Sequence, residues 1–324
     1  MKSLARLSSF ATLSGALVLG ACKDTTGTDS VSDVESAVTS RRSPVVDDDN
    51  FTTINAPGAT ATVAFAINDA GSAVGRYVSG GRTHGFLRSA DGTITTIDFP
   101  GATFTVAGTL NNDGDVAGWY SLPASPTIRH GFVLIDGVYA SFDPPGSTFT
   151  NALGINDRGD VVGRYCTKSV CREPGRGDFH GFLFRDGEIT TLDIGAIETN
   201  AWKVNDRGEV LGGFGVAGGG VELFVWRDGD VRTFALPNGK PLSEDNGGIN
   251  SQGAIVGKYC DVSPCLIGPA GHGFLISDGS LVTINYPGAT GTSAYGINAR
   301  GEVVGGYFDA QGALHGYLLR LKAH

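Results

Sequence analysis

Positive charge is scarce in this sequence, and no long hydrophobic run occurs in the body of the chain. Lysine and arginine total 24 against 33 acidic residues, which gives a formal net charge of −9. A nucleic-acid partner would need a basic face, so the charge argues against that class of function. The 50 glycines follow no three-residue period, which excludes collagen. Hydrophobic residues make up 41% of the chain, enough for a core, so global disorder is also excluded.

Motifs of catalysis are also missing. The sequence contains no nucleophile elbow, phosphate-binding loop, metal-binding helix motif or isolated pair of carboxylates. Carboxylates are plentiful, but most recur at equivalent turn positions, and a recurring residue is explained first by the repeat. We therefore expect no cofactor and no metal site.

A sequence repeat is the dominant feature that is present. Its clearest copy spans 154–165, reads GINDRGDVVGRY, and is followed by a variable loop and then HGFL at 180–183. The anchoring asparagines of the six copies, spaced by 43 to 49 residues, are Asn68, Asn111, Asn156, Asn205, Asn250 and Asn298. This period predicts stacked or radial supersecondary units. No unit can bury its apolar face alone, so the repeats form one array rather than separate domains.

Each repeat contains four candidate strands. In the third copy the second, third and fourth strands are predicted at 161–165, 181–184 and 189–193, and the first strand approaches Asn156. An Asn-Asp-x-Gly turn follows the first strand, and an Asp-Gly hairpin turn at 186–187 joins the third strand to the fourth. Four-stranded antiparallel units with this period are typical of β-propeller blades.

The two ends of the array complement each other. The last repeat stops after its third strand, at 315–320, and residues 52–58 resemble a fourth strand that lacks the first three. Together they would form one blade and remove an open sheet edge. The predicted fold is therefore all-β: a six-bladed β-propeller over 51–324, closed by an N-terminal strand that completes the last blade.

The first fifty residues predict export. Lys2 and Arg6 precede a short apolar run at 10–20, which is too short to span a bilayer. The run ends in LGAC, which resembles the bacterial lipoprotein processing box. That resemblance implies a signal peptide at 1–21, lipidation of Cys22 and a location in the bacterial cell envelope, on either side of the outer membrane. An ordinary secretory signal is the alternative. Residues 22–50 are polar and predict a lipid-anchored, disordered tether with a reach on the order of 30 Å.

The four remaining cysteines form two C-x4-C pairs. Cys166 and Cys171 make one pair, Cys260 and Cys265 the other, and both follow a tyrosine at the same place in their repeats. An even number of cysteines in an exported domain favours disulfides. Zinc is the alternative, but the CxxC spacing typical of zinc sites is absent.

The repeat resembles the bacterial extracellular HAF family, named after a His-Ala-Phe tripeptide. The tripeptide reads His-Gly-Phe in four copies and His315-Gly316-Tyr317 in the last, and the resemblance covers 51–320. The fourth repeat departs from it, with Glu222 in place of the histidine. The resemblance implies an exported bacterial protein and brings no established activity.

Recurring histidines and asparagines are candidates for metal binding. The histidines begin the third strand of five different repeats, so they cannot converge on one ion, and we expect structural hydrogen bonds from them. The asparagines could ring one mouth of the channel, where Asp69, Asp157 and Asp206 follow three of them. Local hydrogen bonds within the Asn-Asp turn explain the same residues.

The loops after the second strand vary most between copies, and the two longest contain the cysteine pairs. Variable loops on a rigid scaffold are where function usually lies. The predicted ligand-binding residues, which break the repeat, are Lys168, Arg172, Glu173, Arg176, Asp178 and Glu222.

We therefore expect a monomeric, non-enzymatic binding or interaction module whose ligand is a glycan or an envelope protein. Two alternatives stay open: a hydrolase or lyase that acts on glycans, and a purely structural surface repeat protein. An enzyme would place two or more acids or a histidine at unrepeated positions around the axis.

Overall fold

The protein is all-β. The computed structural model describes residues 46–168, 171, 178–195, 197–216, 220–243, 247–263, 265, 268 and 270–321. These residues form 24 strands and one short 3-10 helix, Asp48–Asn50. None of their helices has the length and apolarity to span a membrane. The predicted signal peptide, Cys22 and nearly all of the tether lie outside the described residues.

The strands follow the sequence repeat. One strand, β1 (Phe51–Ile54), precedes the first repeat. The first repeat contains β2 (Ala61–Ile67), β3 (Ala73–Ser79), β4 (Arg82–Arg88) and β5 (Ile94–Ile97). The second contains β6 (Phe104–Leu110), β7 (Val116–Leu122), β8 (Ser125–Ile135) and β9 (Val138–Phe142). The third contains β10 (Phe149–Ile155), β11 (Val161–Cys166), β12 (His180–Arg185) and β13 (Glu188–Leu192). The fourth contains β14 (Thr199–Val204), β15 (Val210–Gly215), β16 (Val221–Arg227) and β17 (Asp230–Phe234). The fifth contains β18 (Gly248–Ile249), β19 (Ile255–Tyr259), β20 (His272–Ser277) and β21 (Ser280–Ile284). The sixth contains β22 (Gly291–Ile297), β23 (Val303–Phe308) and β24 (Leu314–Leu319).

Within each repeat, consecutive strands pair antiparallel. The fourth and fifth repeats each form a four-stranded sheet. The first three repeats are joined into a twelve-stranded sheet by single parallel pairs, Thr83 with Phe104 and Arg129 with Phe149. In the last sheet the order is β1-β24-β23-β22, with Phe51 opposite Leu319 and Ile54 opposite Gly316. The N-terminal strand therefore supplies the fourth strand of the sixth repeat.

The hairpin between the third and fourth strands has the backbone that its sequence predicts. Asp186 has a φ of 53° and Gly187 a φ of 85°, and three other repeats have the same pair of positive angles at Asp-Gly. Two successive residues with positive φ match the twist of the flanking strands. The predicted turn at 186–187 is confirmed.

A glycine and an aromatic ring determine how the sheets pack. Phe182, at the centre of the third strand, is fully buried. A Cβ on Gly163, opposite it on the second strand, would lie 2.7 Å from that ring and 2.0 Å from the carbonyl oxygen of Asn151. Only glycine fits there. All six repeats have this glycine and a buried ring opposite it. Burial of each ring contributes roughly 1.5 to 3 kcal/mol to the stability of the fold.

A β-bulge interrupts five of the six first strands, always three residues before the anchoring asparagine. The bulged residues are Phe65, Gly108, Leu153, Trp202 and Tyr295. Bulges re-aim side chains and are frequent beside functional sites. The first strands of all six repeats line two central cavities, of about 80 and 70 Å³, so they surround a common channel.

Candidate functional site

The channel has two ends with different chemistry. We call the end that carries the Asn-Asp turns the turn face. The opposite end, where the second strands finish and the third strands begin, we call the loop face. Antiparallel pairing places these features at opposite ends in every repeat.

On the turn face the six anchoring asparagines form a closed hydrogen-bond cycle. The Nδ2 of Asn68 donates to the carbonyl oxygen of Asn111 at 3.1 Å, and each later asparagine donates to the next in the same way. Asn298 completes the cycle by donating to the carbonyl oxygen of Asn68 at 3.0 Å. Each Oδ1 also accepts from the main-chain N–H four residues later, at 2.8 to 3.0 Å. The predicted local turn is confirmed, and each carboxamide also bridges to the next repeat.

The aspartates beside this cycle also form hydrogen bonds between neighbouring repeats. Asp157 accepts from the main-chain N–H of Asn112 at 2.7 Å, and Asp206 accepts from the N–H of Asp157 at 2.9 Å. Burial raises the pKa of Asp206, as do the negative charges of Asp157 and Asp69, against the effect of this hydrogen bond. No group of three or more His, Cys, Asp or Glu that could hold a metal ion occurs among the described residues.

Below the asparagine cycle, one lysine breaks the repeat. Lys203 lines the deeper cavity of about 70 Å³ at a position that the other repeats fill with glycine, alanine or threonine. Its Nζ donates to the carbonyl oxygens of Gly108 at 3.0 Å and Leu153 at 2.6 Å, which belong to two other repeats. Burial lowers the pKa of Lys203 to about 7.

On the loop face, by contrast, the residues differ from copy to copy. Seven residues before each anchoring asparagine the repeats have, in order, Ala61, Phe104, Phe149, Glu198, Ser243 and Gly291. Fold requirements that are common to all six copies do not explain this variety.

A continuous row of side chains crosses the second to fourth repeats on this face. The guanidinium of Arg129 lies over two aromatic rings, 5.3 Å from the centroid of Phe104 and 4.6 Å from that of Phe149. The ring of Phe149 meets that of Phe179 edge to face at 5.1 Å. We call this set the loop-face row; its members are Phe104, Arg129, Phe149, Phe179, Arg164 and Asn200.

The far end of the row is polar and buried. The guanidinium of Arg164 lies 5.0 Å from the centroid of Phe179 and donates to Oδ1 of Asn200 at 3.1 Å. Asn200 in turn donates to the carboxylate of Glu198 at 3.1 Å. Asn151 lies directly opposite Arg164 in the sheet and is 1% exposed, and no partner for its Oδ1 is found in the described part of the chain. A buried acceptor without a partner is costly, so this atom calls for a donor.

The residues predicted from sequence lie on the same face, where the structure describes them. Lys168 forms an ion pair with Asp178, whose side chain is buried. Cys166 and Cys171 lie at disulfide distance with Cα atoms 6.1 Å apart, as do Cys260 and Cys265 at 5.2 Å. Glu222 is exposed on β16, opposite Phe214. Arg172, Glu173 and Arg176 lie outside the described residues.

The recurring histidines have the structural role expected of them. The Nδ1 of His84 is 2.8 Å from a carboxylate oxygen of Asp98, which directly follows the fourth strand of the same repeat. His130 and His180 make the equivalent bond to Asp143 and Asp193, and the Nδ1 of His272 is 2.8 Å from the side-chain oxygen of Asn285. In the last repeat the partner is Asn55, directly after β1, at 3.0 Å.

Sequence reasoning missed the loop-face row and Lys203. The signal was present, because aligning the six copies on their asparagines shows Phe104, Phe149 and Lys203 at positions where the other copies differ. Loop length as the only criterion favours residues between strands as binding residues and overlooks residues at strand ends.

Comparison with known proteins supports the fold. No protein-family model matches the chain, and no curated protein matches its sequence. Among solved structures, it is similar to a lectin of Aleuria aurantia in complex with α-methyl-L-fucoside, with a TM-score of 0.50, 11% identity and coverage of 82% of this chain and 93% of the lectin chain. It is also similar to a gluconolactonase of Xanthomonas campestris, at a TM-score of 0.49 and 14% identity over 88% of this chain and 99% of the other. A third similar structure is the β-propeller domain of the trilobed protease of Pyrococcus furiosus. Its TM-score is 0.47, with 10% identity over 82% of this chain and 96% of the other. The chain has an all-β fold of the β-propeller type, and at these identities the likeness concerns the fold alone.

Proposed function

We propose that the protein is an exported, lipid-anchored binding module built on a six-bladed β-propeller. In this proposal each repeat is one four-stranded blade, and β1 completes the sixth. The pairing of β1 with β24 and the closed asparagine cycle support this arrangement. Residues 1–21 are the signal peptide, Cys22 carries the lipid, and the tether to residue 50 holds the monomeric propeller off the membrane. The two cysteine pairs at disulfide distance fit an oxidising compartment outside the cytoplasm.

The binding surface in this proposal is the loop face. The observation that carries it is the contrast between the two ends of the channel. On the turn face, identical asparagines use their side chains to hold the repeats together. On the loop face, charged and aromatic residues that most copies lack line one continuous row, beside a loop that a disulfide would preorganise. Preorganised loops lose less conformational entropy on binding.

The test begins with a screen of the full-length protein against glycans and envelope proteins. For the ligand found, the double variant Arg172→Ala/Arg176→Ala should bind at least ten-fold more weakly at an unchanged melting temperature. The matched control is Arg207→Ala/Arg300→Ala, which removes two charges from the turn face and should leave affinity unchanged.

If binding is instead lost in Asp157→Ala or in the control pair, the turn face is the functional surface and the proposal fails. Turnover of a bound glycan would favour the hydrolase or lyase alternative. Absence of any ligand would favour a structural repeat protein.

A further inference from the structure

We infer that the amine of Lys203 forms a second binding site, inside the channel, where it captures a small aliphatic aldehyde as an imine. This site is separate from the loop face and does not depend on the ligand bound there.

The deeper cavity, of about 70 Å³, has an apolar wall that contains a single amine. Its described lining consists of glycine, alanine, isoleucine, leucine and valine, together with Thr109 and Lys203. Lys203 is the only one of these residues with a charge. Because desolvation favours the uncharged form of an amine, a lysine in an apolar pocket is an activated nucleophile.

The hydrogen bonds of Lys203 leave room for one further bond at its nitrogen. The Nζ donates to the carbonyl oxygens of Gly108 and Leu153, which uses both N–H donors of a neutral amine. No further partner of Lys203 occurs among the described residues, and the side chain, 8% exposed, lines the cavity. The lone pair is therefore left for an electrophile. Once an imine has formed and taken up a proton, its N–H can donate to the same carbonyl oxygens, so the site also stabilises the product.

A route from solvent reaches the amine through the turn face. The outer cavity, of about 80 Å³, has the exposed Asn112 and Asp206 at its rim. The outer and deeper cavities share the six aliphatic residues that precede the anchoring asparagines, so they lie on either side of one apolar ring. An apolar molecule is favoured at this ring. In another protein a cavity of roughly 150 Å³ holds benzene, so the deeper cavity suits an aldehyde of about three carbons.

The charges around the channel keep the amine reactive at neutral pH. Burial lowers the pKa of Lys203 to about 7, so about half of the amine is uncharged at pH 7, whereas an exposed lysine is almost fully protonated. No acid occurs in the described lining of the deeper cavity that would hold the ammonium form. The acids of the channel, Asp69, Asp157 and Asp206, line the outer cavity instead.

The reaction needs no oxidant or reductant. The lone pair of Nζ attacks the aldehyde carbon, and the aldehyde oxygen leaves as water with the two amine protons. A C=N double bond replaces the C=O double bond and the two N–H bonds. Addition of water reverses the step, so capture is reversible.

Reductive trapping on the full-length protein tests the inference. The protein is incubated with propanal at pH 7, imines are reduced with ammonia borane, a small uncharged reductant, and propylated lysines are located by peptide mapping with mass spectrometry. Lys240 is the exposed control, and Lys258, which is buried but lines neither cavity, is the buried control. We expect Lys203 to be labelled roughly ten-fold more than either control, and the preference should disappear in urea.

Two comparisons assign the label to the cavity. With 2,2-dimethylpropanal, which is branched and too wide, the labelling of Lys203 relative to Lys240 should fall roughly ten-fold. Ala66→Leu adds three carbons to the cavity wall and leaves Lys203 in place, so it should lower propanal labelling of Lys203 by a similar factor. Ala310→Leu, the same change in an exposed turn, is the matched control and should be labelled as the wild type is. Melting temperatures show whether each variant is folded.

Absence of the label from Lys203, or labelling no greater than that of Lys240 or Lys258, would overturn the inference. So would an equal preference with the branched aldehyde, or unchanged labelling in a folded Ala66→Leu protein. None of these outcomes bears on the loop face, whose ligand is sought in the separate screen.

Discussion

Replacing Lys203 by methionine should change how the stability of the fold depends on pH. The side chain is buried, and burial lowers its pKa from 10.5 to about 7. Below pH 7 the lysine is charged in both the folded and the unfolded chain, so the folded state carries the full cost of a buried ammonium. Between pH 7 and 10.5 the unfolded chain binds more protons, and the free energy of unfolding therefore rises with pH.

The magnitude follows from the pKa values. Each pKa unit corresponds to about 1.36 kcal/mol, so the free energy of unfolding of the wild type should gain roughly 3 kcal/mol between pH 6 and pH 9.5 from this residue alone. Methionine fills the same space without the charge, but it leaves the carbonyl oxygens of Gly108 and Leu153 without their donor. An unmade hydrogen bond costs about 1 to 3 kcal/mol. The stability of the variant relative to the wild type should therefore fall by roughly 3 kcal/mol between pH 6 and pH 9.5.

The assay is urea unfolding of both proteins at half-unit steps from pH 6 to 9.5, followed by tryptophan fluorescence. All other titrating groups are common to both proteins, so the difference in the free energy of unfolding isolates Lys203. A difference that stays constant across this range would refute the reasoning. It would mean that the two carbonyl oxygens stabilise the ammonium enough to offset burial, and that Lys203 acts only as a permanently charged tie between three repeats.

Three further predictions concern the ring, the closure and the anchor. Asn156→Ala removes the hydrogen bond to the next repeat and those within its own turn, so it should lower the free energy of unfolding by about 2 to 4 kcal/mol. The control is Asn238→Ala, which changes an exposed asparagine and should alter this free energy little. Equal effects of the two substitutions would show that the asparagine cycle is not stabilising. Deleting residues 51–58 exposes the edge of β24 and should sharply lower the melting temperature and the solubility. Deleting residues 25–40 from the tether is the control and should change neither. If the protein without 51–58 melts like the full chain, the sheet shared by β1 and β24 is contradicted. Cys22→Ser should move the protein from the membrane fraction to the soluble fraction, since the lipid supplies most of the membrane affinity; identical fractionation of both forms would rule out lipidation.

Much of the fold could be predicted because its determinants are local and recur. The Asp186-Gly187 turn depends on adjacent residues, and the pairing of Gly163 with Phe182 joins positions that recur in every copy. The supply of the last fourth strand by β1 also followed from the sequence, because the two incomplete ends could be compared directly.

The rest depends on contacts that a repeat pattern does not encode. Asn156 donates to a carbonyl oxygen 49 residues away, and this bond exists only because the repeats are arranged around one axis. Arg129 contacts Phe104 and Phe149 at strand ends that lie far apart along the chain. Phenylalanine occupies this position in only two of the six copies, so periodicity gave no reason to connect these residues.

The asparagine cycle has a consequence for how such a chain can diverge. Each carboxamide serves its own turn through Oδ1 and its neighbour through Nδ2, so a substitution in one copy damages two copies at once. A random substitution of an asparagine on the turn face therefore destabilises two repeats, which favours keeping the same residue there in every copy. At the loop face each copy can drift on its own, one repeat at a time, without loss of the ring. A protein built in this way can acquire a new ligand by changing a few strand-end residues, while the frame that positions them stays the same.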